Sequence, residues 1–175
     1  MKYILENLMS KLVVLLTLFI TTLFSNQAPE SFSFFGLSGS QNKMSFSTSS
    51  TLPGENATLP GLRYGQQTLD WRTMFTISGK KDMYDLSVEI DKILLDDMFG
   101  YPEVRPYLGL TLGYLHYENV SIEEEDGYYY GGAFGFVVYL TDNIDLDISY
   151  QYKKVKDIDA LNTLKGPSIG IHYFY

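Results

Sequence analysis

Polar and apolar residues alternate along most of this chain, and the elements follow from that alternation. In Asn143–Tyr152, the side chains Ile144, Leu146, Ile148, Tyr150 and Tyr152 stand at every second position, with Asp145, Asp147, Ser149 and Gln151 between them. Successive side chains of a strand point to opposite faces, so the segment has one apolar and one polar face. The pattern recurs in Asp82–Asp91, where Tyr84, Leu86, Val88 and Ile90 alternate with Asp85, Ser87, Glu89 and Asp91. It recurs again in Leu69–Ser78, Arg105–His116, Tyr128–Leu140 and Pro167–Tyr175, and more weakly in Ser31–Leu37 and Pro60–Gln66. The count is about eight strands, most near the roughly 9–11 residues that cross a bilayer at a tilt.

The connections sort by length. Ser38–Leu59 is long and rich in Ser, Thr, Asn, Pro and Gly, Val120–Gly127 is acidic, and Lys153–Gly166 is charged. Gln66-Gln67-Thr68 and Thr141-Asp142-Asn143 are short. Long and short connections alternate when one rim of a barrel faces outward and the other faces the periplasm. Gly79-Lys80-Lys81, which is short, and Leu94–Val104, which is longish, fit that rule less well.

A soluble sandwich or a lipocalin-like barrel also alternates, with its apolar face inward. Here the small and charged residues form the expected inner set. Gly109, Gly113, Gly131, Ala133 and Gly135 relieve crowding in a narrow lumen. Arg63, Arg72 and Arg105 stand against Asp70, Asp85, Glu89, Asp91, Asp145 and Asp147, with His172 in the same register. Unpaired buried charge is costly, so these groups are expected to pair as a lumen charge network. The outer set is Leu, Ile, Val and Phe with Tyr towards the segment ends, as in a lipid band flanked by aromatic girdles.

The start of the chain reads differently. Leu12–Phe24 is an uncharged apolar run of 13 residues, preceded by Lys11 and followed by Ser25-Asn26-Gln27-Ala28. It is short for a spanning helix, and its layout is that of a secretory signal peptide. The expected division is a signal peptide over 1–28 and a barrel over 29–175, with Met9 offering a cleaner initiator than Met1 because Glu6 interrupts the basic region. An uncleaved membrane anchor is the alternative.

Composition narrows the chemistry. The 175 residues include 15 Tyr, 11 Phe, 15 Gly and one Trp, a mixture suited to twisted strands with wet ends and not to a helical bundle. The absence of Cys removes disulfides, thiolate metal sites, a cysteine nucleophile and a lipoprotein anchor. A net charge of −8 makes nucleic acid an unsuitable partner. Only His116 and His172 are available for a triad or a His metal site. His172 is read as a lumen His satisfied by Asp145 or Asp147. Glu123-Glu124-Glu125-Asp126 offers carboxylate oxygens to a hard cation, although such a run is more often a solvated loop. Tyr128 and Tyr130 are assigned to the outer girdle and Tyr129 to the lumen. Lys153, Lys154 and Lys156 are placed near the outer rim, where basic side chains can meet anionic phosphates. No cofactor and no metal site is expected.

The last nine residues, Pro167 to Tyr175, end on an aromatic, with Tyr173, Ile171 and Ile169 at every second position before it. This resembles the C-terminal signal by which outer-membrane barrels engage their assembly machinery. With the leader and the strand count, the chain resembles the small eight-stranded outer-membrane barrels of the OmpA-type and opacity-protein-like families, often labelled porin-like. The resemblance implies a closed antiparallel up-and-down transmembrane barrel in the cell envelope of a Gram-negative bacterium. It also implies a monomer surrounded by outer-membrane lipid and lipopolysaccharide, with an extracellular ligand reached through the loops. It says little about function, because this fold hosts adhesins, structural anchors and enzymes. His116-Tyr117-Glu118 is similar to the His-x-Ser motif of outer-membrane lipid A deacylases only at the His, since Glu118 occupies the nucleophile position. Outer-membrane protease chemistry needs Asp and His on more strands. The expected function is therefore non-enzymatic, a structural or surface-interaction barrel plugged by charged side chains. A narrow cation-preferring channel and a lipid A-modifying enzyme are the alternatives.

Overall fold

The computed structural model describes residues 30–46, 56–94, 103–119, 122–158 and 161–175. The expected signal segment, residues 1–28, lies outside them. The described residues form strands β1 (Phe32–Phe46), β2 (Asn56–Gln67), β3 (Trp71–Lys80), β4 (Met83–Ile93), β5 (Val104–Asn119), β6 (Ile122–Thr141), β7 (Ile144–Lys156) and β8 (Leu161–Phe174). Each strand pairs antiparallel with its sequence neighbour, and β1 pairs with β8 to close the barrel. Closure leaves no strand edge with open hydrogen-bonding groups, which a sheet in lipid cannot tolerate.

Burial decides which face is which. Leu110 and Leu112 point outward and are 75% and 66% exposed, whereas Asp91, Asp145 and Asp147 point into the lumen and are 0% exposed. Water would reverse this arrangement, since burying charge and exposing aliphatic rows are both unfavourable there. The exterior suits lipid, and the soluble alternative with an inward apolar face does not hold. Outward aromatics gather at two levels. Phe35, Tyr64, Trp71, Tyr173 and Tyr175 lie towards the rim that carries the chain ends, and Tyr84, Tyr114, Tyr128, Tyr130 and Tyr152 lie towards the other. Phe35 packs against Tyr173 and Tyr175 with ring centroids 5.5 and 6.3 Å apart.

β3 and β4, of 10 and 11 residues, are about as long as a bilayer crossing needs. β5 and β6, of 16 and 20 residues, are longer and carry the wall beyond the aromatic level. There the alternation inverts. In β2, Arg63 and Gly65 face in and Leu62 and Tyr64 face out, but further up Ala57 and Leu59 face in while Thr58 faces out. In β7, Asp147 and Ser149 face in below, whereas Val155 faces in and Lys154 and Lys156 face out above. Met44, Ala57, Leu59, Met83, Leu115, Tyr117, Val155, Ile158, Leu161 and Leu164 join Tyr129 in one buried apolar cluster at this end. The cause is the change of outer solvent from lipid to water, which turns the apolar side chains inward.

The inversion also explains why the connections are shorter than the sequence suggests. β1 runs to Phe46 and β2 begins at Asn56, so most of Ser38–Leu59 is strand and only residues 47–55 remain between them. The acidic stretch after β5 belongs to β6, which begins at Ile122 and continues to Thr141. The charged stretch Lys153–Gly166 is divided between the end of β7 and the start of β8. The β3–β4 connection is a two-residue turn at Lys81-Asp82, short as the sequence has it.

Candidate functional site: the charged belt of the lumen

At mid-barrel the inward positions of β2, β3, β4, β7 and β8 meet in one polar belt. Arg72 of β3 is its centre. Its Nε donates to Asp91 Oδ2 on the adjacent β4 at 2.8 Å, and its Nη2 donates to Asp147 Oδ2 on β7, across the lumen, at 2.5 Å. Its guanidinium also lies 4.6 Å from the ring centroid of Tyr107, whose hydroxyl donates to Asp147 Oδ1 at 3.2 Å. Bidentate use of a planar cation fixes three strands relative to one another. Arg63 of β2 adds a contact to Asp147 Oδ1 at 3.5 Å and donates to Ser168 Oγ at 3.1 Å. His172 of β8 donates from Nδ1 to Asp145 Oδ1 at 2.7 Å, and its Nε2 faces Arg63 Nη1 at 3.5 Å.

A second knot sits nearer the apolar cluster. Asp85 accepts from Lys153 Nζ at 3.2 Å, from the Tyr129 hydroxyl at 2.6 Å and from Ser78 Oγ at 3.3 Å. The Lys153 ammonium also lies 4.6 Å from the Tyr129 ring centroid. Tyr129 can cross the lumen here because Gly113 on β5 is opposite. A Cβ at Gly113 would fall 2.3 Å from the Tyr129 ring.

The belt is not charge-balanced. Among the described residues, three buried cations, Arg63, Arg72 and Lys153, face five buried carboxylates, Asp85, Glu89, Asp91, Asp145 and Asp147. Glu89 forms no ion pair among the described residues, and its Oε1 and Asp91 Oδ1 have no hydrogen-bond partner among them. Among the described residues no group of three or more His, Cys, Asp and Glu side chains has the geometry to hold a metal ion. Below the belt, Phe34, Met74 and Phe174 form one apolar contact, and Ile93, Tyr107, Ala133 and Val137 form another.

No protein-family model matches the chain, and no curated protein sequence matches it significantly. Solved structures do match. Neisserial surface protein A superposes with a TM-score of 0.64 at 20% identity, over 82% of this chain and 97% of that one. The chain has the fold of the small eight-stranded outer-membrane barrels. Outer membrane protein H (OprH) of Pseudomonas aeruginosa, solved in micelles, matches with a TM-score of 0.58 at 18% identity, over 82% of this chain and 99% of that one. The N-terminal β-barrel domain of Pseudomonas aeruginosa OprF matches at 0.56 and 15%, over 83% and 100%. At these identities the likeness is one of fold.

Within this barrel, Arg63, Arg72, Asp85, Glu89, Asp91, Asp145, Asp147 and His172 share the lumen. Two expected members lie elsewhere. Asp70 stands in the turn before β3, half exposed, and pairs with Lys92 Nζ at 3.2 Å. The turn is closed by the Thr68 N–H donating to the Trp71 carbonyl at 2.7 Å, which ends the alternation before it reaches Asp70. Arg105 lies near the start of β5 with its guanidinium 5.3 Å from the Tyr139 ring centroid, at the rim and outside the central belt. A third correction concerns Lys153. It is buried against Asp85 and does not reach the outer surface, whereas Lys154 and Lys156 do face outward. Tyr129 faces the lumen, where the sequence reading has it, whereas Tyr107 and Lys153 are members of the belt that the reading did not name. Their odd-numbered register with Gly109, Gly131 and Gln151 was the available signal.

The remaining candidates lie away from the lumen. His116 faces outward near the upper aromatics, with Nδ1 2.8 Å from Asp126 Oδ1 and its ring centroid 6.1 Å from that of Tyr84. Glu125 and Asp126 belong to strand β6. The side chains of Glu123 and Glu124 lie outside the described residues. Tyr128 and Tyr130 face outward and Tyr129 inward.

Proposed function

We propose that this protein is an integral outer-membrane barrel with a structural or surface-interaction role, whose lumen is closed by its own side chains. The observation that carries the reading is the continuous stack of buried groups along the axis. The charged belt centred on Arg72 has the large apolar cluster on one side and the Phe34, Met74 and Phe174 contact on the other. An eight-stranded barrel encloses a space just wide enough for side chains, so this filling leaves no room for a broad pore. Residues 1–28 serve as the export signal. Ile169, Ile171, Tyr173 and Tyr175 present the assembly signal to the barrel-assembly machinery, and the chain ends lie in the periplasm. No enzymatic role is proposed. Glu118 stands where a lipid A deacylase would carry its serine, and Asp85, Asp91, Asp145 and Asp147 are held by Lys153, Arg72 and His172 in ion pairs and hydrogen bonds.

The first test is heat-modifiability in purified outer membranes. The unboiled protein is expected to migrate differently from the boiled one on a semi-native gel. A band in the soluble periplasm that boiling does not shift would defeat the membrane reading.

A narrow cation-preferring channel is the second reading, favoured by the excess of two buried carboxylates over buried cations among the described residues, where Glu89 forms no ion pair. Planar-bilayer recordings separate the two. Purified barrel is expected to give no stable conductance steps, and reproducible cation-selective steps abolished by Glu89→Gln would replace closure with conduction.

A further inference from the structure

The structure reveals a row of basic side chains that the periodicity of any single strand does not show. Lys43 of β1, Lys165 of β8, and Lys154 and Lys156 of β7 all occupy outward positions at the end of the barrel where the alternation inverts. Their flanking residues face in, with Asn42 and Met44 around Lys43, Leu164 and Gly166 around Lys165, and Lys153 and Val155 around Lys154. The register makes the row continuous. Lys43 is directly opposite Lys165 across the β1–β8 ladder. Lys154 is opposite Thr163, which places Lys165 on the neighbouring diagonal. Lys156 follows on the same face of β7, two residues along. Tyr128, Tyr130 and Tyr152 of the upper aromatic level are the cross-strand partners of Lys156, Lys154 and Lys165. The row therefore begins where the apolar wall ends.

Two features distinguish these lysines from ordinary surface charge. The whole chain carries −8, yet four of its 13 basic residues stand side by side on one wall. Among the described residues none of the four forms an ion pair, whereas Lys92 and Lys153 each hold an aspartate. Like charges directly opposite one another in a sheet repel, so the Lys43–Lys165 pair is unfavourable in isolation. An anion lying between the ammonium groups converts that repulsion into attraction. Phosphate at the membrane surface is the anion that geometry places there, since the row lies immediately above the aromatic level where lipid headgroups begin.

We propose that Lys43, Lys154, Lys156 and Lys165 form a binding site for the phosphate groups of an anionic outer-leaflet lipid. The acyl chains lie along the apolar wall beneath the row. This rests on the outer-membrane reading above, because it requires the inverted end of the barrel to stand in the outer leaflet. Lysine ammonium groups act as mobile point charges without fixed geometry, so the site is suited to phosphate monoesters in more than one orientation. The partner commits the wall of β1, β7 and β8 to lipid, and leaves the opposite wall, with Lys80 and Lys81 at its turn, for other contacts.

The test uses the full mature chain refolded in zwitterionic micelles and titrated with a diphosphorylated lipid A. The quadruple variant K43Q/K154Q/K156Q/K165Q is expected to bind at least tenfold more weakly than the parent. The quadruple arginine variant is expected to bind within about threefold of the parent, since it keeps the charge. K80Q/K81Q is expected to leave binding unchanged. Raising ionic strength should weaken the parent and have little effect on the glutamine variant. Equal binding by parent and glutamine variant, or equal binding of lipid whose phosphates have been removed, would overturn the site. Full competition by millimolar inorganic phosphate would also overturn it, by showing a site for soluble anion instead of lipid. Each variant is first checked for the heat-shifted band. A parent that lacks the band fails as a membrane barrel, whereas a parent that shows it but ignores the lipid fails only here.

Discussion

Replacing Arg72 with methionine is expected to cost the barrel about 3–5 kcal/mol of folding stability, the range for removing one partner of a buried ion pair. The side chain holds Asp91 at 2.8 Å and also holds Asp147, and all three are shielded from solvent. Methionine fills a similar volume but leaves two carboxylates facing each other in the lumen beside Glu89. The measurement is urea unfolding in detergent micelles, followed by the heat-shifted band. The double variant R72M/D91N should recover most of the loss, because the damage comes from uncompensated charge and not from lost attraction, and Asp147 keeps its contact with Arg63. Asp70→Asn gives the contrast. Its pair with Lys92 is about 40% exposed on both sides, and surface pairs contribute roughly 0–1 kcal/mol. A loss at Arg72 no larger than that at Asp70 would mean that the belt is hydrated and loosely paired.

Placing arginine at Leu110 is expected to destabilise the barrel by about 2–4 kcal/mol, the cost of a cation on the lipid face near the bilayer midplane. Leu110 points outward between Leu108 and Leu112 and is the most exposed of the large outward apolar side chains. In water the same substitution on so open a position would be nearly neutral, within about 0.5 kcal/mol. The experiment therefore reads the solvent around the wall. Thr58→Arg, on the outward face of the inverted end, should be close to neutral in the same unfolding assay. Equal and small effects at Leu110 and Thr58 would mean that both positions face water and that the lipid-band assignment is wrong.

The inverted end sets the terms for function. Loops usually carry recognition in this architecture, but here much of the sequence that reads as loop is strand, built around its own apolar cluster. A rigid polar wall with an apolar core presents fixed side chains in register, which is how four lysines from three strands come to stand in one row. A flexible loop with the same composition would spread them.

Alternation by itself determined the strands that cross the apolar band. In Asp82–Asp91 and Asn143–Tyr152 the two faces differ so sharply that a one-residue slip would put carboxylates into lipid, so register and polarity are legible from the residues alone. The lumen membership of Arg72, Asp91 and Asp147 was legible for the same reason. Other features depended on closure. Which carboxylate Arg72 meets is a question of which strands face each other across the lumen, and β3 and β7 are distant in sequence. Asp70 has the right parity and still misses the belt, because a local turn overrides alternation at the strand end. Lys153 reads as surface charge beside Lys154, and only the continuation of β7 above the aromatic level turns it towards Asp85. The pattern of the chain is written against whatever surrounds each residue, and it specifies a face only where that surrounding is known. Inside the lipid band the surrounding is fixed. Beyond it the outer solvent becomes water, the same alternation acquires the opposite meaning, and the tertiary structure alone shows where the change occurs.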